Sequence, residues 1–402
     1  MNENEKVFTS AINPFALGEV VLNKKVDWDK LSDPQESLSE VLNVPTGELF
    51  SAESIMINPS LKIEGDNSIR LSKEESAERL TKYLNEKTKK RITLTKSISR
   101  RVALKNISPR VIENLFNMVE APNDQAWKPA NINWVDKGDY FEDVAELSDP
   151  IQGSLGDCYF ISALCSVAWA RPYAIVNATA PSAVGNEESP THLVSFYNSK
   201  GNKEDVTISE LTPVNASNNA WLYARSLDNG EIWPAIMEKA YAKWKTQNKT
   251  DFPDYTKIAG GDPVEACRQI IGGKSTYLYT SKNSESDIAT FIRSNSLSMR
   301  TVNPMVAWTP SKEPQGCNYA SAHIAANHAY SVLGWMYSNS QYYIVLRNPW
   351  GTYHGVLDTL SSTFSATTNN YFNANIKLNT NGIFAMKIST FKKYFYGLGV
   401  VK

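Results

Sequence analysis

Hydrophobic and polar residues recur with regular spacing over most of the chain after residue 126. Apolar residues at helical spacing follow Cys158. The same period predicts three further helices, over Ile232–Trp244, Asp262–Ile270 and Ser286–Asn295. Alternating residues over 191–209, with the turn residues Lys200-Gly-Asn202 in their middle, predict a β-hairpin. This part of the chain therefore begins as a mainly helical half.

Strand patterns dominate the chain from Val302 to its end. Short apolar runs bounded by turn residues predict strands at Met305–Trp308, Ala329–Trp335, Tyr342–Leu346 and Gly382–Ile388. A helical half followed by a β-rich half predicts an α+β fold, with a cleft between the halves as the place for a binding site.

The residues before this core have a different character. A capping box at Ser72 predicts a helix to about Leu84, and Ser108-Pro109 begins a second amphipathic helix. We predict that residues 1–125 form a mostly helical extension, and that Trp127–Asp149 is a loop-rich approach to the core. The extension is either a solvated appendage or a pro-segment or regulatory region, with basic clusters at Lys87–Arg91 and Arg100-Arg101 as cleavage sites.

Composition narrows the classes of function. The chain has 402 residues, 42% of them hydrophobic, and a net charge of −1, which favours neither nucleic acid nor an anionic membrane as partner. No apolar run is long enough to span a bilayer. The first residues lack a secretory signal, so the chain as written is expected in the cytoplasm, with a secreted or cell-envelope location left open for a trimmed chain. Four cysteines without CxxC spacing predict neither a zinc site nor a disulfide framework.

Cys158 lies where a glycine-punctuated loop meets a helical pattern. The first turn of a helix presents unpaired N–H groups and a partial positive charge, which lower the pKa of a thiol placed there. Gln152 lies one loop upstream, where its amide can donate to an oxyanion that forms beside the sulfur. These residues predict a cysteine nucleophile with half of its oxyanion hole.

Two later stretches supply the partners that such a nucleophile needs. His328 precedes a β-rich run and offers an imidazole as general acid and base. Asn348 ends a strand before Pro349 and offers a neutral amide that orients the imidazole. Cysteine, histidine and asparagine in this chain order form the papain-like arrangement.

Four blocks of the sequence resemble one known family. The segments QGSLGDCYF, NHAYSVLGW and LRNPWG resemble the three catalytic motifs of calpain-type cysteine proteases. A fourth block, residues 231–243 with Ile258-Ala-Gly-Gly261, resembles a structural signature of the same core. The chain resembles a short form without EF-hand modules, similar to bacterial calpain-like thiol proteases.

The resemblance implies a two-lobed papain-like core over residues 126–402, with a helical lobe at about 126–290 and a β lobe at about 291–402. It implies a cysteine endopeptidase that acts on proteins or peptides and needs no cofactor for its chemistry. Trp350, Asp157 and Tyr159 are expected at the substrate cleft, and Trp350 is expected to shield the contact between His328 and Asn348. Tyr159 replaces the family's usual Trp, and Asn327 replaces the common Gly before the histidine.

Calcium is a further expectation from the resemblance. Asp149 and Glu231 match carboxylates of the family's first calcium site, and we give them as candidate ligands against the alternative of ordinary surface carboxylates. At the second site the family has an acidic residue where this chain has His354, although Asp358 is nearby. Imidazole is a poor ligand for this hard cation, so we expect the second site to be absent.

Two other functions compete with peptide hydrolysis. The same three residues could catalyse another acyl transfer, such as a transglutaminase-like reaction that joins glutamine to an amine. A non-catalytic binding protein on a protease core is the third hypothesis, and the complete set of catalytic residue types speaks against it.

Overall fold

The computed structural model describes residues 9–11, 125–141, 145–181, 191–228, 230–368 and 372–402. Apart from residues 9–11 and 125, the predicted N-terminal extension and its two helices lie outside these ranges. The extension and its basic cleavage sites therefore stay predictions.

The described residues form helices and strands in both halves. The α-helices are α1 Cys158–Ala170, α2 Pro172–Ala178, α3 Trp233–Thr246, α4 Pro263–Ile271, α5 Glu285–Arg293, α6 Tyr319–Ala322 and α7 Ile388–Tyr394. The strands are β1 Ile132–Asp136, β2 Thr179–Pro181, β3 Thr191–Tyr197, β4 Lys203–Ser209, β5 Leu211–Asn215, β6 Ser275–Tyr279, β7 Ser296–Leu297, β8 Arg300–Thr301, β9 Met305–Trp308, β10 Ala329–Ser338, β11 Gln341–Arg347, β12 Thr363–Thr368, β13 Phe372–Lys377, β14 Ile383–Lys387 and β15 Gly397–Val401.

One large antiparallel sheet organises the C-terminal half. Its central order is β14-β11-β10-β9-β15-β6, and the short strands β8 and β7 extend from β10 to complete eight strands. Three smaller antiparallel sheets pair β1 with β5, β12 with β13, and β2 with β3 and β4. The fold is α+β, as the sequence predicted.

Helix α1 lies at the centre of the first of two main hydrophobic cores. All thirteen residues of α1 are buried, and Phe160 packs with Trp233 and Tyr241 in this core. A second core, with Tyr330 and Phe384, lies on the large sheet. A helix that is apolar on every face is stable in water only where protein surrounds it, which explains the central position of α1.

Hydrogen bonds fasten α1 to the large sheet. Ser166 Oγ donates to the Met305 carbonyl on β9, and Trp169 Nε1 donates to the Leu333 carbonyl on β10, each at 2.7 Å. Ser331 Oγ on β10 returns a bond of 2.7 Å to the Ser162 carbonyl. Buried donors must be paired to avoid a desolvation cost, so these bonds fix the position of the helix against the sheet.

Most predicted elements are confirmed to within a few residues. The hairpin forms from β3 and β4 in a continuous register, and α4 begins after the Asp262 cap and ends at Gly272. The prediction that Trp127–Asp149 is a loop-rich approach needs one correction. This segment contains strand β1, which pairs with β5.

Strand β6 pairs with β15, and α5 packs against the second core, so residues 275–293 contact the large sheet. The lobe division near residue 290 stays a prediction.

No single helix in the described ranges is long and apolar enough to cross a membrane. The bent pair α1 and α2 meets the length and composition criteria jointly, with an angle of 114° between its helices. All four cysteines are free thiols in this structure.

Candidate active site

Cys158 is the first residue of α1 and is fully buried. The loop before it approaches other backbone closely. A Cβ atom on Gly153 would lie 2.4 Å from the Tyr223 backbone, so only glycine fits there. The loop can therefore pack tightly and place the thiol at the positive end of a thirteen-residue helix.

His328 directly precedes β10, and its backbone is held at both polar groups. Its N–H donates to Thr309 Oγ1 at 3.0 Å, and its carbonyl accepts from the Thr309 N–H at 2.9 Å. The preceding residue, Asn327, has a φ of +51°, in the left-handed region that favours glycine and tolerates asparagine. This explains how Asn327 can occupy the position where the family commonly has glycine.

Asn348 follows β11 and orients the imidazole. His328 Nε2 lies 2.8 Å from Asn348 Oδ1, and the Trp350 backbone N–H donates to the same oxygen at 3.1 Å. Asn348 Nδ2 donates to the Tyr353 carbonyl at 2.9 Å, which fixes the orientation of the amide. In neutral His328 the proton is therefore on Nε2, and Nδ1 is left as the basic atom.

Trp350 packs beside the imidazole. The ring centroids of Trp350 and His328 are 4.5 Å apart, and Trp350 is 7% exposed while His328 and Asn348 are fully buried. A hydrogen bond is stronger where water is excluded. The Trp350 indole therefore lies beside the imidazole, in a position from which it can shield the contact between His328 and Asn348 from water.

Gln152 is bound to the loop that carries Asn348. Its backbone N–H donates to the Pro349 carbonyl at 2.9 Å. Its side-chain Nε2 donates to two carbonyls at 2.7 Å, those of Leu155 and Ala11. The Ala11 bond shows that this amide can donate to a peptide carbonyl from a distant part of the chain.

The thiol of Cys158 and the imidazole of His328 are both fully buried. The pKa of the Cys158 thiol is raised to about 12, because burial outweighs hydrogen bonds from the Thr9 side chain and the Ala329 and Ala11 backbone. Burial also lowers the pKa of His328 to about 4, against a smaller opposite effect of Asn348. The expectation that the helix dipole lowers the pKa of the Cys158 thiol is therefore wrong, because desolvation dominates in this arrangement.

Tyr159 and Asp157 flank the nucleophile. The Tyr159 hydroxyl donates to the Ile258 carbonyl at 3.0 Å, and a Cβ on Gly261 would lie 2.5 Å from the Tyr159 ring. Asp157 is fully buried and interacts with Glu238 of α3. Burial raises the pKa of Asp157 to about 7. Asp157 thus interacts with Glu238 in the buried helical half, and its expected place at the substrate cleft stays a prediction.

Three carboxylates gather beside the loop that leads to Gln152. One oxygen from each of Asp149, Asp228 and Glu231 lies within 4.8 Å of the other two. Burial, followed by the charge of Glu231, raises the pKa of Asp149 well above its ordinary value. Asp149 Oδ1 is buried without a hydrogen-bond partner in the described residues. Within those residues no other such cluster occurs, and none includes His354 or Asp358.

The sequence reasoning missed three groups at this site. Asp228 lies three residues before Glu231, and an acidic residue at that spacing was an available signal. Glu238 stands inside the fourth block, although nothing in its spacing pointed to Asp157. Residues 9–11 carried no signal, because only the folded chain brings them to Cys158.

A thiol at a helix N-terminus, an imidazole held by an amide and a second amide donor define a papain-like cysteine peptidase site. A model of the family described as "Calpain family cysteine protease" matches residues 106–402. The chain belongs to this family and is a cysteine-type peptidase whose substrates are peptides or proteins.

Individual relatives agree with this assignment. A "Thiol protease" of Porphyromonas gingivalis is 28% identical, and the match covers 96% of this chain and 86% of that protein. "Calpain clp-4" of Caenorhabditis elegans is 30% identical over 50% of this chain but only 27% of its own length. Human "Calpain-8" is 28% identical over 52% of this chain and 28% of its own length. The chain thus spans about a quarter of the length of these animal calpains.

Among solved structures, a digestive procathepsin L 3 of Tenebrio molitor aligns with 77% of this chain and 92% of its own. The two chains are 12% identical, and the TM-score is 0.20.

Proposed function

We propose that this chain is a cysteine endopeptidase that hydrolyses peptide bonds through a thioester on Cys158. His328 acts as general acid and base, Asn348 orients its ring, and Gln152 donates to the oxyanion. The observation that carries the proposal is the 2.8 Å contact from His328 Nε2 to Asn348 Oδ1. It leaves Nδ1, which is buried and has no hydrogen-bond partner in the described residues, as the proton acceptor.

The reaction follows from these positions. Nδ1 of His328 takes the thiol proton, and the thiolate adds to the substrate carbonyl carbon. Gln152 Nε2 and the Cys158 backbone N–H stabilise the negative oxygen of the tetrahedral intermediate. The C–N bond then breaks, and His328 returns the proton to the departing amine. Water, deprotonated by the same ring, hydrolyses the thioester and releases the free thiol.

The oxyanion donors and Asn348 contribute to this reaction in different ways. Removing one oxyanion donor typically raises the barrier by about 3 kcal/mol, equal to roughly a hundredfold loss in rate. Asn348 is neutral, so it orients the imidazole ring by a hydrogen bond without the ionic stabilisation of the imidazolium that a carboxylate would add. The chemistry of the thiol, the imidazole and the amides requires no cofactor.

Turnover of casein tests the proposal. The wild-type chain should hydrolyse casein to new amino termini, and Cys158→Ala should abolish this activity. Cys267→Ala is the matched control, because Cys267 is equally buried in the same core but lies on helix α4, outside the proposed catalytic residues. Equal turnover by wild type and Cys158→Ala, or amine incorporation without cleavage, would contradict the proposal.

We also propose that Asp149, Asp228 and Glu231 bind Ca²⁺. Calcium is bound by carboxylate oxygens, and these three provide oxygens close enough to share one ion. The buried Asp149 Oδ1 without a hydrogen-bond partner fits a metal ligand. A bound ion would neutralise the mutual repulsion of the carboxylates and so stabilise the loop ahead of Gln152.

A further inference from the structure

A stack of aromatic rings runs from the imidazole of His328 to the surface of the β-rich half. The ring centroids of His328 and Trp350 are 4.5 Å apart, and those of Trp350 and Tyr353 are 5.8 Å apart. The last ring is that of His323, which lies 4.9 Å from Tyr353 at an interplanar angle of 12°. His328 is fully buried, whereas His323 is exposed. The stack therefore leads from the active site to an imidazole in contact with water.

Two loops form the surface at the outer end of this stack. The Ala322 carbonyl, next to His323 at the end of α6, accepts from the Val356 N–H at 3.1 Å. The Tyr353 carbonyl accepts from Asn348 Nδ2 at 2.9 Å. The second loop is thus fixed both to α6 and to the Asn348 amide. We call the surface that the two loops share the histidine ledge, and it consists of His323, Tyr353, His354, Val356 and Leu357.

The histidine ledge concentrates exposed apolar surface. Four large hydrophobic side chains are exposed in the described residues, and two of them, Val356 and Leu357, lie on the ledge at 44% and 37% exposure. Exposed apolar side chains that cluster on a folded surface mark places where another molecule binds. The ring stack makes this surface continuous with the active site, so its occupant is expected to be the substrate.

The loops that form the ledge lack negative charge. Residues 314–357, which include both loops, contain no aspartate or glutamate. The acidic residues on either side of this stretch are bound elsewhere, since Glu313 accepts from the backbone N–H that begins α6 at 3.2 Å, and Asp358 accepts from a threonine of α7. A positive charge on His323 would therefore complement an anionic group of the substrate.

The two imidazoles of the ledge differ in their surroundings. Burial, followed by the charge of His323, lowers the pKa of His354. His354 therefore stays neutral at a pH where an exposed imidazole is protonated. The titratable groups that face His323 are His354 and the phenol of Tyr353, and both are neutral in weak acid. His323 is thus the positive group that the ledge offers under those conditions.

The chemistry of the proposed reaction decides which part of a substrate reaches the ledge. The residues before the cut bond stay on Cys158 as a thioester, and His328 protonates the amine that leaves. The residues after the cut bond therefore begin at the imidazole and continue along the ring stack. The ring-to-ring steps place His323 at most about 15 Å from His328, a span that an extended chain covers in roughly four to five residues.

We propose, on the basis of the function proposed above, that the histidine ledge is the subsite for the residues that follow the cut bond, and that His323 selects an acidic side chain there. A substrate glutamate or aspartate pairs with the protonated imidazole, while Val356 and Leu357 contact its apolar neighbours. The preference is strongest in weak acid, where an exposed histidine is protonated and a substrate carboxyl group is still ionised. His323 acts on specificity and takes no part in the proton transfers of His328.

Matched peptides test the proposal. The bond cut fastest in casein is identified by mass spectrometry and placed in three peptides that carry glutamate, glutamine or lysine at the second to fourth residues after the cut. At pH 6, kcat/KM of wild type should be about three to five times higher for the glutamate peptide than for the glutamine peptide, the scale of an exposed ion pair. The ratio should fall toward one at pH 8. Both rates come from one enzyme at one pH, so the titration of His328 cancels.

Two nearly isosteric substitutions of His323 form a matched pair. The φ of His323 is +53°, which asparagine and aspartate tolerate, so both variants can keep the backbone. His323→Asn should lower the ratio of glutamate to glutamine cleavage at pH 6 to about one, and His323→Asp should favour the lysine peptide instead. Gln341→Glu adds one negative charge at the exposed start of β11 and should leave the wild-type ratios unchanged.

The outcomes separate this subsite from the function proposed above. Equal cleavage of the three peptides at pH 6, or a preference that both His323 variants retain, overturns the subsite and leaves the protease function intact. The same loss of preference in Gln341→Glu would assign it to the net charge of the chain and also overturn the subsite. A His323 variant that cleaves no peptide would contradict a role confined to specificity. Absence of any cleavage by wild type would overturn the protease function and the subsite together.

Discussion

Arg347 donates from Nη1 to the sulfur of Cys165 at 2.6 Å, across 182 positions of sequence. The same guanidinium donates to the carbonyls of Pro150 and Ser148, at 3.0 and 2.8 Å. Arg347 is fully buried at the end of β11, one residue before Asn348. It therefore links the strand that carries Asn348 to helix α1 and to the loop that leads to Gln152.

Replacing Arg347 should weaken this link more than replacing Cys165. Arg347→Lys keeps the charge but cannot reproduce a fork that reaches both carbonyls. We expect it to lower the free energy of unfolding by about 2–4 kcal/mol, because hydrogen bonds to charged groups are lost in a buried site. Urea unfolding of the Cys158→Ala background, which prevents self-digestion, gives the measurement.

Cys165→Ala is the control for the Arg347 substitution. It removes only the sulfur contact and a small buried volume, and should cost about 1 kcal/mol. Equal losses in the two variants would show that the carbonyl bonds of Arg347 do not stabilise the loop.

Sequence patterns predicted the elements whose determinants are local. The hairpin of β3 and β4 follows from alternation around one turn, and helix α4 follows from its Asp262 cap and its terminal glycine. The pairing of β6 with β15 was not predictable in this way, because its partners are more than a hundred residues apart and no local pattern selects one over the other.

The site shows the same division between local and distant information. Motif order indicated Cys158, His328 and Asn348, because each lies in a distinctive local context. The raised thiol pKa could not be foreseen from the helix N-terminus alone, since it depends on burial that residues 9–11 help to create. The sequence showed that Asn327 departs from the family pattern. Only the fold shows that this position has a positive φ, which asparagine tolerates.

Acid should destabilise the folded chain by protonating the buried His328. Burial lowers its pKa from 6.5 to about 4, so the unfolded chain binds the proton more readily than the folded one. The stability that neutral His328 contributes is present above pH 6.5 and is lost as the pH falls toward 4. The loss should reach about 3 kcal/mol at the lower limit, by linkage.

The difference between Cys158→Ala and Cys158→Ala/His328→Gln isolates this effect. Buried carboxyl groups such as Asp157 titrate in both proteins and cancel in the difference, whereas only the first protein retains the imidazole. Urea midpoints measured from pH 4 to 8 should converge or cross toward acid pH. A difference that does not change with pH would contradict the lowered pKa of His328.

The carboxyl pair Asp157 and Glu238 should have the opposite pH dependence. Burial raises the pKa of Asp157 to about 7, so the folded chain holds a proton that the unfolded chain releases near pH 4. This contribution favours the fold at acid pH and is lost as the pH rises from 4 to 7. Glu238→Gln removes one charge and can keep the oxygen that accepts the Ala224 N–H at 3.0 Å.

At pH 8 the Glu238→Gln variant should be more stable than its parent by about 1–2 kcal/mol, because one fewer carboxyl must be buried. At pH 5 the two should be nearly equal. Thermal unfolding in the Cys158→Ala background at both pH values makes the comparison. Greater stability of the parent at pH 8 would contradict a repulsion between the carboxyl groups of Asp157 and Glu238.

Gly261 should be essential for binding an extended substrate. Its backbone donates and accepts in the bridge with Thr9, and a Cβ at this position would lie 2.5 Å from the Tyr159 ring. Gly261→Ala must displace the ring or its own backbone. We expect kcat/KM on casein to fall by about tenfold or more, equal to about 1.4 kcal/mol of lost binding.

A second substitution identifies the clash as the cause. Tyr159→Leu shortens the side chain beneath Gly261, so Gly261→Ala/Tyr159→Leu should recover part of the activity that Gly261→Ala loses, measured against Tyr159→Leu alone. If the two losses simply add, the steric explanation fails.

Calcium should stabilise the chain through Asp149, Asp228 and Glu231. An ion that binds only the folded state raises the free energy of unfolding by about 2.7 kcal/mol at a hundredfold excess over its dissociation constant. Asp149→Asn removes the negative charge of a carboxylate whose Oδ2 already accepts from the Glu146 N–H and from Trp233 Nε1, at 2.6 and 3.0 Å. We expect Ca²⁺ to raise the Tm of the Cys158→Ala protein, and Asp149→Asn to remove most of that rise.

Asp358→Asn is the matched control for calcium. Its carboxylate accepts from Thr390 Oγ1 at 2.5 Å and lies outside the three-carboxylate cluster. The Tm of this variant should respond to Ca²⁺ as its parent does, and Mg²⁺ at the same concentration should have a smaller effect, because Mg²⁺ gives up its water ligands reluctantly. An equal response in Asp149→Asn and Asp358→Asn would show that the cluster is not where the ion binds.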